Sequence, residues 1–492
     1  MRHFKCLYLS VMLELAALPL LADGISGRVF RDENSNGRFD KGERLLRGVG
    51  ISDGDTIVWS DRRGFYSLPA RSGSVVFPIL PDGYAMAADG LQNRGGVMAG
   101  EVSATVDFGL CPVGPARDFR MAVLGDIQAD TPGQLELARR TVLGEVASLE
   151  DVTEVIHLGD LVNDCPQLLR TAADALGMLP QRTWTVIGNH DLDTDTRPRA
   201  GRNFRTEAGC DVAAFFRGCY CFVLLNNVEE ASEGLPDAQL RFLRQLVSGC
   251  PEKTVFVLCQ HVPMSRVENR EEVFSILDGH RVLILSAHAH ITFREEWGDR
   301  ISELSAGAAC GSWWTGECDP WGNPVSLQQC GTPRGYFLVD FRNDGYVFRF
   351  KGTGLDPDIQ SDLWISGTES SDSLIDPLNR YPRGLACLNV YGGGETTTVE
   401  YSSDREHWYP MERVEKVAPA VFRVIYMNRH GGYPTGFSRR TPLRRGASSP
   451  HLWEARLPDS LLTGGRWIYF RVSDGRGLEP FHFRRLVNLP DK

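Results

Sequence analysis

Between about residues 117 and 353, short apolar runs alternate with helix-like stretches, and several of the runs end in Gly-Asp, Gly-Asn or His. The predicted strands include Met121–Leu124, Val155–Leu158, Thr183–Ile187, Cys221–Leu225, Thr254–Leu258 and Val282–Leu285. The predicted helices include Gln134–Leu149, Gln167–Leu179 and Pro236–Val247. This alternation predicts an α/β domain with parallel strands, closed by a hairpin around Asn343-Asp344-Gly345. The loops at the strand ends are then the expected place for chemistry.

The regions on either side of this domain have the pattern of all-β structure. Residues 23–112 consist of short apolar runs separated by Gly, Asp and Pro turns, without helical periodicity, and residues 366–492 show a β-like pattern again. Predicted strands include Ile25–Phe30, Gly48–Ile51, Thr56–Ser60, Ser74–Ile79, Ala386–Tyr391, Thr397–Tyr401, Ala420–Met427, His451–Leu457 and Trp467–Val472. We therefore expect two β-sandwich-like domains that flank the α/β domain.

The first residues predict export. A basic start is followed by an apolar run from Leu7 to Leu21 that ends at Ala22, which is typical of a secretory signal peptide spanning residues 1–22. The alternative is an uncleaved membrane anchor, for which the run is short and contains Glu14. No later stretch is long and apolar enough to span a bilayer. The expected location is the periplasm or the cell surface.

Charge excludes one class of partner. Lys and Arg number 53 against 63 for Asp and Glu, which gives a net charge of −10. Binding to a nucleic-acid backbone needs a basic surface, so it is not expected here.

Five segments, each directly after a predicted strand, contain the residue types that bind metals or move protons. They are Gly125–Gln128, Gly159–Asp164, Gly188–Asp191, Gln260-His261 and Ala287–His290. A single Gly-Asp or His-x-His is usually a structural turn or a polar pair on a strand. Five such segments in this order are hard to explain in that way, and they predict a metal centre at one edge of the sheets.

This set of motifs resembles that of the calcineurin-like metallophosphoesterase superfamily over about residues 118–350. The resemblance implies a four-layer αββα sandwich with two divalent metal ions: Mn, Mg, Fe or Zn. The implied ligands of the first ion are Asp126, Gln128, Asp160 and His290. Those of the second are Asp160, Asn189, His261 and His288, so Asp160 bridges the two.

The resemblance also implies the reaction, which is cleavage of a phosphoester or a nucleotide-type pyrophosphate bond by a metal-bound hydroxide. The substrate is expected to be a small phosphorylated molecule. His190 would face it, stabilise charge and donate a proton to the leaving oxygen, and Asn163 would orient His190.

Three residues depart from the family pattern. Gln128 replaces the usual His and offers a harder, weaker oxygen donor, which favours Mn²⁺ or Mg²⁺ over a tightly held Fe or Zn pair. Asn163 stands where Asp is common, and it can orient His190 without balancing a positive charge. Ala287 replaces the usual Gly and removes no ligand.

Two features near these motifs suggest substrate contacts. The segment Gly307–Tyr336 carries Trp313, Trp314 and Trp321, which form either an aromatic wall for substrate or anchors that hold the loop on the domain. Four arginines follow Gly-Asn-His-Asp, and each is either a phosphate contact or part of a solvated basic loop. These are Arg197, Arg199, Arg202 and Arg205.

The N-terminal flank contains a calcium-loop pattern, with oxygen-bearing side chains at Asp32, Asn34, Asn36 and Glu43. The run Gly27–Pro69 resembles the β-sandwich B-repeats of bacterial surface adhesins, which use a similar loop. The alternative is a polar turn without metal.

The domain order as a whole resembles that of secreted calcineurin-like phosphoesterases of Bacteroidetes-type bacteria. The alternative to an enzyme is a catalytically degenerate surface protein that binds glycan or a partner. Retention of the ligand set favours the enzyme.

Overall fold

The computed structural model describes residues 24–71, 73–87, 90–100, 104–195, 198–229, 234–316, 318, 322–324, 326–343, 345–430 and 443–489. The predicted signal peptide lies outside the described residues, as do Arg197 and Trp321. Among the described residues, no helix is both long and apolar enough to cross a bilayer.

The N-terminal region is built from two sheets, as its sequence predicts. The larger has the order β2-β1-β10-β7, with β5 and β9 also paired to β1, and the smaller has the order β4-β3-β6-β8. The strands are β1 (Ile25–Arg31), β2 (Arg44–Leu45), β3 (Gly50–Ser52), β4 (Ile57–Trp59), β5 (Phe65–Leu68), β6 (Val75–Ile79), β7 (Tyr84–Met86), β8 (Val97–Met98), β9 (Ala104–Thr105) and β10 (Phe108–Pro112).

The middle region consists of two sheets of five and six strands, with the orders β13-β12-β11-β20-β21 and β14-β15-β16-β17-β19-β18. The strands are β11 (Phe119–Leu124), β12 (Val152–His157), β13 (Arg182–Thr185), β14 (Ala213–Arg217), β15 (Tyr220–Leu224), β16 (Val255–Cys259), β17 (Arg281–Ser286), β18 (Thr292–Trp297), β19 (Ile301–Ala306), β20 (Gly335–Arg342) and β21 (Gly345–Gly352). The last two form the predicted antiparallel hairpin.

Helices accompany these two sheets. They are α1 (Pro132–Ala138), α2 (Gly144–Ala147), α3 (Pro166–Gly177), α4 (Arg202–Glu207), α5 (Asp237–Ser248) and α6 (Arg270–Ile276), with a π-helical turn, Arg139–Leu143, that joins α1 to α2. Residues of α1 to α3 pack with β11 and β12 in one core cluster, while α5 and α6 pack with the second sheet in another. Aromatic rings fill the space between the two sheets, for example Phe119 with Phe222 and Trp184 with Phe215. The result is the predicted four-layer αββα sandwich.

The C-terminal region is a sandwich of two four-stranded sheets, with the orders β22-β23-β27-β26 and β25-β24-β28-β29. The strands are β22 (Ser361–Ile365), β23 (Leu385–Val390), β24 (Thr397–Ser402), β25 (Tyr409–Pro410), β26 (Glu412–Lys416), β27 (Ser449–Arg456), β28 (Arg466–Asp474) and β29 (Phe481–Val487). In the described part of this region, the α-helices α7 (Pro419–His430) and α8 (Asp459–Leu462) accompany these strands.

One predicted strand is wrong. Residues Ala420–Met427 are rich in β-branched and aromatic side chains, which favours a strand locally, but they lie in α7. Val421 is buried, and Val424 and Ile425, one turn further on, pack on the same apolar cluster as Trp364 and Leu452. Tertiary packing of one helical face therefore overrides the local propensity.

Candidate metal centre and active site

Parallel pairing brings the five predicted segments to one edge of the two sheets. Strands β11, β12 and β13 run parallel in the first sheet, and β15, β16, β17 and β19 run parallel in the second. Their carboxyl ends therefore lie side by side. The predicted ligands follow directly after β11, β12, β13, β16 and β17, and the structure brings all of them together.

Asp160 lies at the centre of this cluster. Its Oδ2 atom is 3.3 Å from Gln128 Nε2 and 3.3 Å from His261 Nε2. Its Oδ1 atom accepts a hydrogen bond of 2.8 Å from the backbone N–H of His190. A carboxylate with one oxygen facing residues from two sheets is in the position that a bridging ligand needs.

His261, Asn189 and His288 form one side of the cluster. His261 Nδ1 is 2.7 Å from the carbonyl oxygen of Leu158, to which it donates, so that Nε2 is left for a metal. This Nε2 is 3.1 Å from Asn189 Oδ1 and 3.2 Å from His288 Nδ1. Ligand atoms of Asp160, His261 and His288 all lie within 4.8 Å of one another.

Asp126 and His290 form the other side. His290 Nε2 is 3.6 Å from Asp126 Oδ1, and His290 Nδ1 is 3.3 Å from the carbonyl oxygen of Gly311. Among the described residues, Asp126 Oδ1 and Gln128 Oε1 are buried without a hydrogen-bond partner. Buried acceptors of this kind are costly unless they are paired. Two of them on one side of a His-rich cluster fit a cation.

The protonation states suit metal binding. Burial lowers the pKa of His288 and of His290 to about 4, so both imidazoles are neutral at pH 7. Burial also acts to lower the pKa of His261, but the charges of Asp160 and Asp126 outweigh it and raise that pKa to about 9. In the metal-free protein, the protonated imidazole of His261 supplies the positive charge that compensates these carboxylates.

Glycine at 188 is required by close packing of two of these loops. A Cβ atom there would lie 2.1 Å from the backbone nitrogen of Asp160 and 2.2 Å from its Oδ1. Any larger residue would push the central carboxylate away.

The substrate-facing candidate His190 is a quarter exposed, at 24% for its side chain. Its Nδ1 atom lies 3.1 Å from Asp164 Oδ2, within ion-pair distance but without hydrogen-bond alignment. Asp164 is held in turn by Arg199, whose Nη2 donates to Asp164 Oδ1 at 2.9 Å. The contact between Asp164 and His190 was missed in the sequence, although Asp164 directly follows Asn163.

Asn163, to which the sequence assigned the orienting role, donates through Nδ2 to Asp130 Oδ1 at 2.5 Å. This bond ties the loop after β12 to the loop after β11. The structure therefore adds Asp164 as a second candidate for orienting His190, and the role of Asn163 stays a prediction.

Asp191 is a further residue that sequence reasoning left without a role. Its carboxylate accepts hydrogen bonds from the backbone N–H groups of Val162, at 3.0 Å, and Gly188, at 2.9 Å. Burial raises its pKa to about 7. Its position in the Gly-Asn-His-Asp motif could have drawn attention to it in the sequence. Its two hydrogen bonds hold the loop after β12 against the loop after β13.

Trp313 and Trp314, in the segment Gly307–Tyr336, differ in which of the two predicted roles they fit. Trp314 is buried and donates through Nε1 to the carbonyl oxygen of Ile127 at 2.8 Å, so it anchors the loop. Trp313 is half-buried, and its ring centroid lies 4.7 Å from that of His290. Of the three tryptophans, the two that the structure describes thus differ, and Trp313 is the one that lies beside the cluster.

The predicted phosphate-binding arginines are largely engaged within the protein. Arg205 pairs with Asp211 at 2.7 Å and Glu229 at 2.8 Å, and Arg199 pairs with Asp164. Arg202 is mostly exposed. These contacts favour structural roles for Arg199 and Arg205.

The predicted calcium loop lies between β1 and β2. Asp32 is buried and accepts hydrogen bonds from the backbone N–H groups of Asn36 and Gly37. Asn34 and Asn36 donate to Asp40, and Glu43 accepts from backbone N–H groups within the loop. The loop is thus held by its own hydrogen bonds, and calcium binding stays a prediction.

Comparison with protein families gives two matches along the chain. Residues 119–292 match the model described as calcineurin-like phosphoesterase. Residues 303–479 match the model described as the C terminal of calcineurin-like phosphoesterase. The chain belongs to the calcineurin-like phosphoesterase family. It is a metal-dependent phosphoester hydrolase, as the sequence predicts, and its family is characterised by a binuclear metal centre.

Solved structures with some similarity include a dimetal phosphatase from Danio rerio, at 17% identity and a TM-score of 0.34, covering 48% of this chain and 96% of that one. Another is a 5'-nucleotidase from Candida albicans, at 9% identity and a TM-score of 0.31, covering 48% of this chain and 52% of that one. A search among curated proteins found no match.

Proposed function

We propose that this protein hydrolyses a phosphoester or a nucleotide-type pyrophosphate bond in a small substrate, with two divalent metals held by Asp126, Gln128, Asp160, Asn189, His261, His288 and His290. The observation that carries the proposal is the convergence of these side chains at one sheet edge. Asp160 lies between the two groups of ligands. Two metals in such a site supply a nucleophilic water at neutral pH and neutralise charge on the phosphoryl oxygens.

His190 is the acid of the proposed reaction. Asp164 Oδ2 lies within ion-pair distance of Nδ1, at 3.1 Å, and in the proposed reaction Nε2 is the nitrogen that faces the substrate. From that position it stabilises charge on a phosphoryl oxygen and donates a proton to the leaving oxygen. Arg199 keeps Asp164 in place through its contact of 2.9 Å.

Manganese is the metal we propose. The set of ligands combines carboxylate and amide oxygens from Asp126, Gln128, Asp160 and Asn189 with imidazoles. Hard oxygen donors suit Mn²⁺ and Mg²⁺ better than they suit a tightly held Fe–Zn pair. Metal analysis of protein purified without added metal tests this, and a stoichiometric Fe–Zn pair would contradict it.

The test of the reaction uses the chain from residue 23, with Mn²⁺ added. Substrates are p-nitrophenyl phosphate, bis-p-nitrophenyl phosphate and a panel of nucleotide sugars, which distinguish monoester, diester and pyrophosphate cleavage. We expect Asp160→Ala and His190→Ala to lower kcat by at least about 100-fold. His482→Ala, an exposed histidine on β29, is the matched control and should retain full activity.

The same experiment separates the alternatives. Loss of activity in both variants, with metal content lost only in Asp160→Ala, supports the assigned roles. If a folded, metal-loaded wild-type protein cleaves nothing in the panel, the proposal fails, and the degenerate binding protein becomes the better hypothesis.

Export is part of the proposal and rests on the first 22 residues. A basic start followed by an apolar run is the pattern that export machinery removes. Mass spectrometry of the N-terminus in protein from the periplasmic or culture fraction tests it. Full-length protein confined to the cytoplasm would contradict it.

A further inference from the structure

The turn formed by residues 328–332 connects the cluster of candidate metal ligands to the C-terminal sandwich. On one side, the backbone N–H of Gln329 donates to the carbonyl oxygen of His290 at 3.2 Å. On the other, the carbonyl oxygen of Gln329 accepts from the backbone N–H of Ala447 at 3.0 Å. A single residue thus links a predicted metal ligand to the segment that leads into β27.

A second connection runs through side chains. Thr292, two residues after His290, has its Oγ1 atom 3.0 Å from His451 Nε2 and 2.8 Å from Thr332 Oγ1. Thr332 Oγ1 is itself 3.3 Å from His451 Nε2. His451 is on β27, so a side chain of the C-terminal sandwich lies between the segment that holds His290 and the turn.

The geometry of His451 is fixed from its other side. Ser449 Oγ donates to Asn389 Oδ1 at 2.7 Å, so it accepts from His451 Nδ1 at 3.2 Å. His451 Nε2 is then an acceptor for the threonine hydroxyls. Asn389 Nδ2 also donates to the carbonyl oxygen of Cys330 at 3.2 Å.

This network is buried inside the protein. Asn389, Ser449, His451, Thr292 and Thr332 are all buried, with at most 1% of their surface exposed. Polar groups in such a place are costly unless every bond is made, so the network specifies one arrangement of its members.

Close packing of α7 on the turn adds to this. A Cβ atom at Gly331 would lie 2.9 Å from Ala418 Cβ and 3.2 Å from Val421 Cγ2. The turn is therefore clamped between the C-terminal sandwich and the metal cluster.

We propose that the C-terminal sandwich sets the position of the metal ligand His290, with His451 and Asn389 as positioning residues that act through Thr292 and the 328–332 turn. The inference rests on the assignment of His290 as a ligand in the proposed function. Residues that orient metal ligands commonly change metal affinity 10- to 100-fold when they are removed. On this view the C-terminal sandwich is part of the catalytic unit, since it helps to build the metal centre.

The test compares full-length variants by isothermal titration with Mn²⁺ alone, together with kcat and KM. We expect His451→Ala to weaken Mn²⁺ binding about 10-fold or more and to lower kcat with little change in KM. His451→Gln, which keeps one donor and one acceptor, should restore most of the affinity. His482→Ala, on the exposed face of the same sandwich, should bind Mn²⁺ like the wild type.

Unchanged Mn²⁺ affinity in a folded His451→Ala protein would overturn the inference. If that variant does not fold, Thr332→Val and Asn389→Ala remove contacts on either side and are judged by the same measure. If the wild type binds Mn²⁺ but hydrolyses no substrate, the proposed reaction fails. The Mn²⁺ affinities of the variants still decide whether the C-terminal sandwich positions His290.

Discussion

At the scale of single residues, the protonation state of His261 controls how readily the candidate centre binds a metal. Its Nδ1 bond to Leu158 directs Nε2 towards Asp160, and the nearby carboxylates raise its pKa to about 9 against the effect of burial. A metal ligand must be deprotonated. Proton and metal therefore compete for the same nitrogen.

The first prediction follows from this competition. Because His261 holds a proton below about pH 9 in the metal-free protein, Mn²⁺ binding at pH 7 should release about one proton or more per protein. Affinity should rise with pH up to about 9. Isothermal titration in buffers with different ionisation enthalpies measures the release, and a heat of binding that is the same in all buffers would contradict the prediction. The variant His261→Gln should release fewer protons than the wild type, although burial also raises the pKa of Asp126, which remains a proton source.

At the scale of elements, β19 carries a buried carboxyl group in the second sheet. Glu303 is almost inaccessible, and its oxygens lie 3.1 Å and 3.3 Å from the backbone nitrogen of Met264, in the loop that follows His261. Burial raises its pKa from 4.5 to about 8, although Ser286 and the Met264 N–H act against this. The folded protein therefore holds a proton that the unfolded chain releases near pH 4.5.

The second prediction concerns stability. For a carboxyl group with a raised pKa, stability is highest below the unfolded value and falls as pH rises from about 4.5 to 8. Glu303→Gln keeps an acceptor for Met264 without the charge. At pH 8 and in the presence of a chelator, it should raise the free energy of unfolding by about 1 kcal/mol or more, with a smaller gain at pH 5. Urea unfolding at both pH values measures this.

The control for this experiment is Glu271→Gln, a largely exposed residue on α6. It should change the free energy of unfolding by no more than about 0.5 kcal/mol at either pH, because substitutions of exposed side chains usually have small effects. Equal gains for Glu303→Gln at pH 5 and pH 8 would show that packing, and not charge, explains the effect.

At the scale of the whole molecule, the two β regions are joined to the catalytic sandwich in different ways. The N-terminal region is joined through backbone hydrogen bonds, since Leu80 bonds to Ala214 and Phe216 of β14, the edge strand of the six-stranded sheet. The C-terminal region contributes a buried ion pair, in which Arg294 of β18 donates to Asp474 of β28 at 2.9 Å. Both side chains of that pair are at most 2% exposed.

The third prediction follows from that pair. Asp474→Ala leaves the buried Arg294 with Glu296 as its remaining carboxylate partner, at 3.0 Å. Removing one member of a buried pair should lower the free energy of unfolding by about 3 kcal/mol, at the lower end of the usual range because Glu296 remains. Asp474→Asn, which keeps an acceptor, should cost less. Calorimetry or urea unfolding of the full chain checks both.

Asp299→Ala serves as the matched control at the same junction. Asp299 is exposed, and its pair with Arg476 joins the same two regions at 3.0 Å. Exposed pairs contribute about 0–1 kcal/mol, so this variant should unfold nearly like the wild type. An equal loss in both variants would refute the importance of burial.

The sequence predicted the architecture closely where the pattern is periodic. The strand and helix alternation of the middle region and the strands of the N-terminal region correspond to observed elements, and the αββα class is confirmed. The error at Ala420–Met427 arose because β-branched residues favour a strand in isolation, whereas packing against Trp364 and Leu452 selected a helix. The proposed domain boundaries and the signal peptide remain predictions.

The candidate metal ligands could be predicted from the sequence itself, because they follow strands whose parallel order brings the strand ends to one edge within each sheet. Only the tertiary structure placed Asp164 beside His190 and His451 behind His290. These contacts depend on the path of a loop and on the docking of a separate sandwich, and neither is encoded in local periodicity. Residues 159 positions apart, such as Thr292 and His451, meet only because the whole chain packs around one buried network.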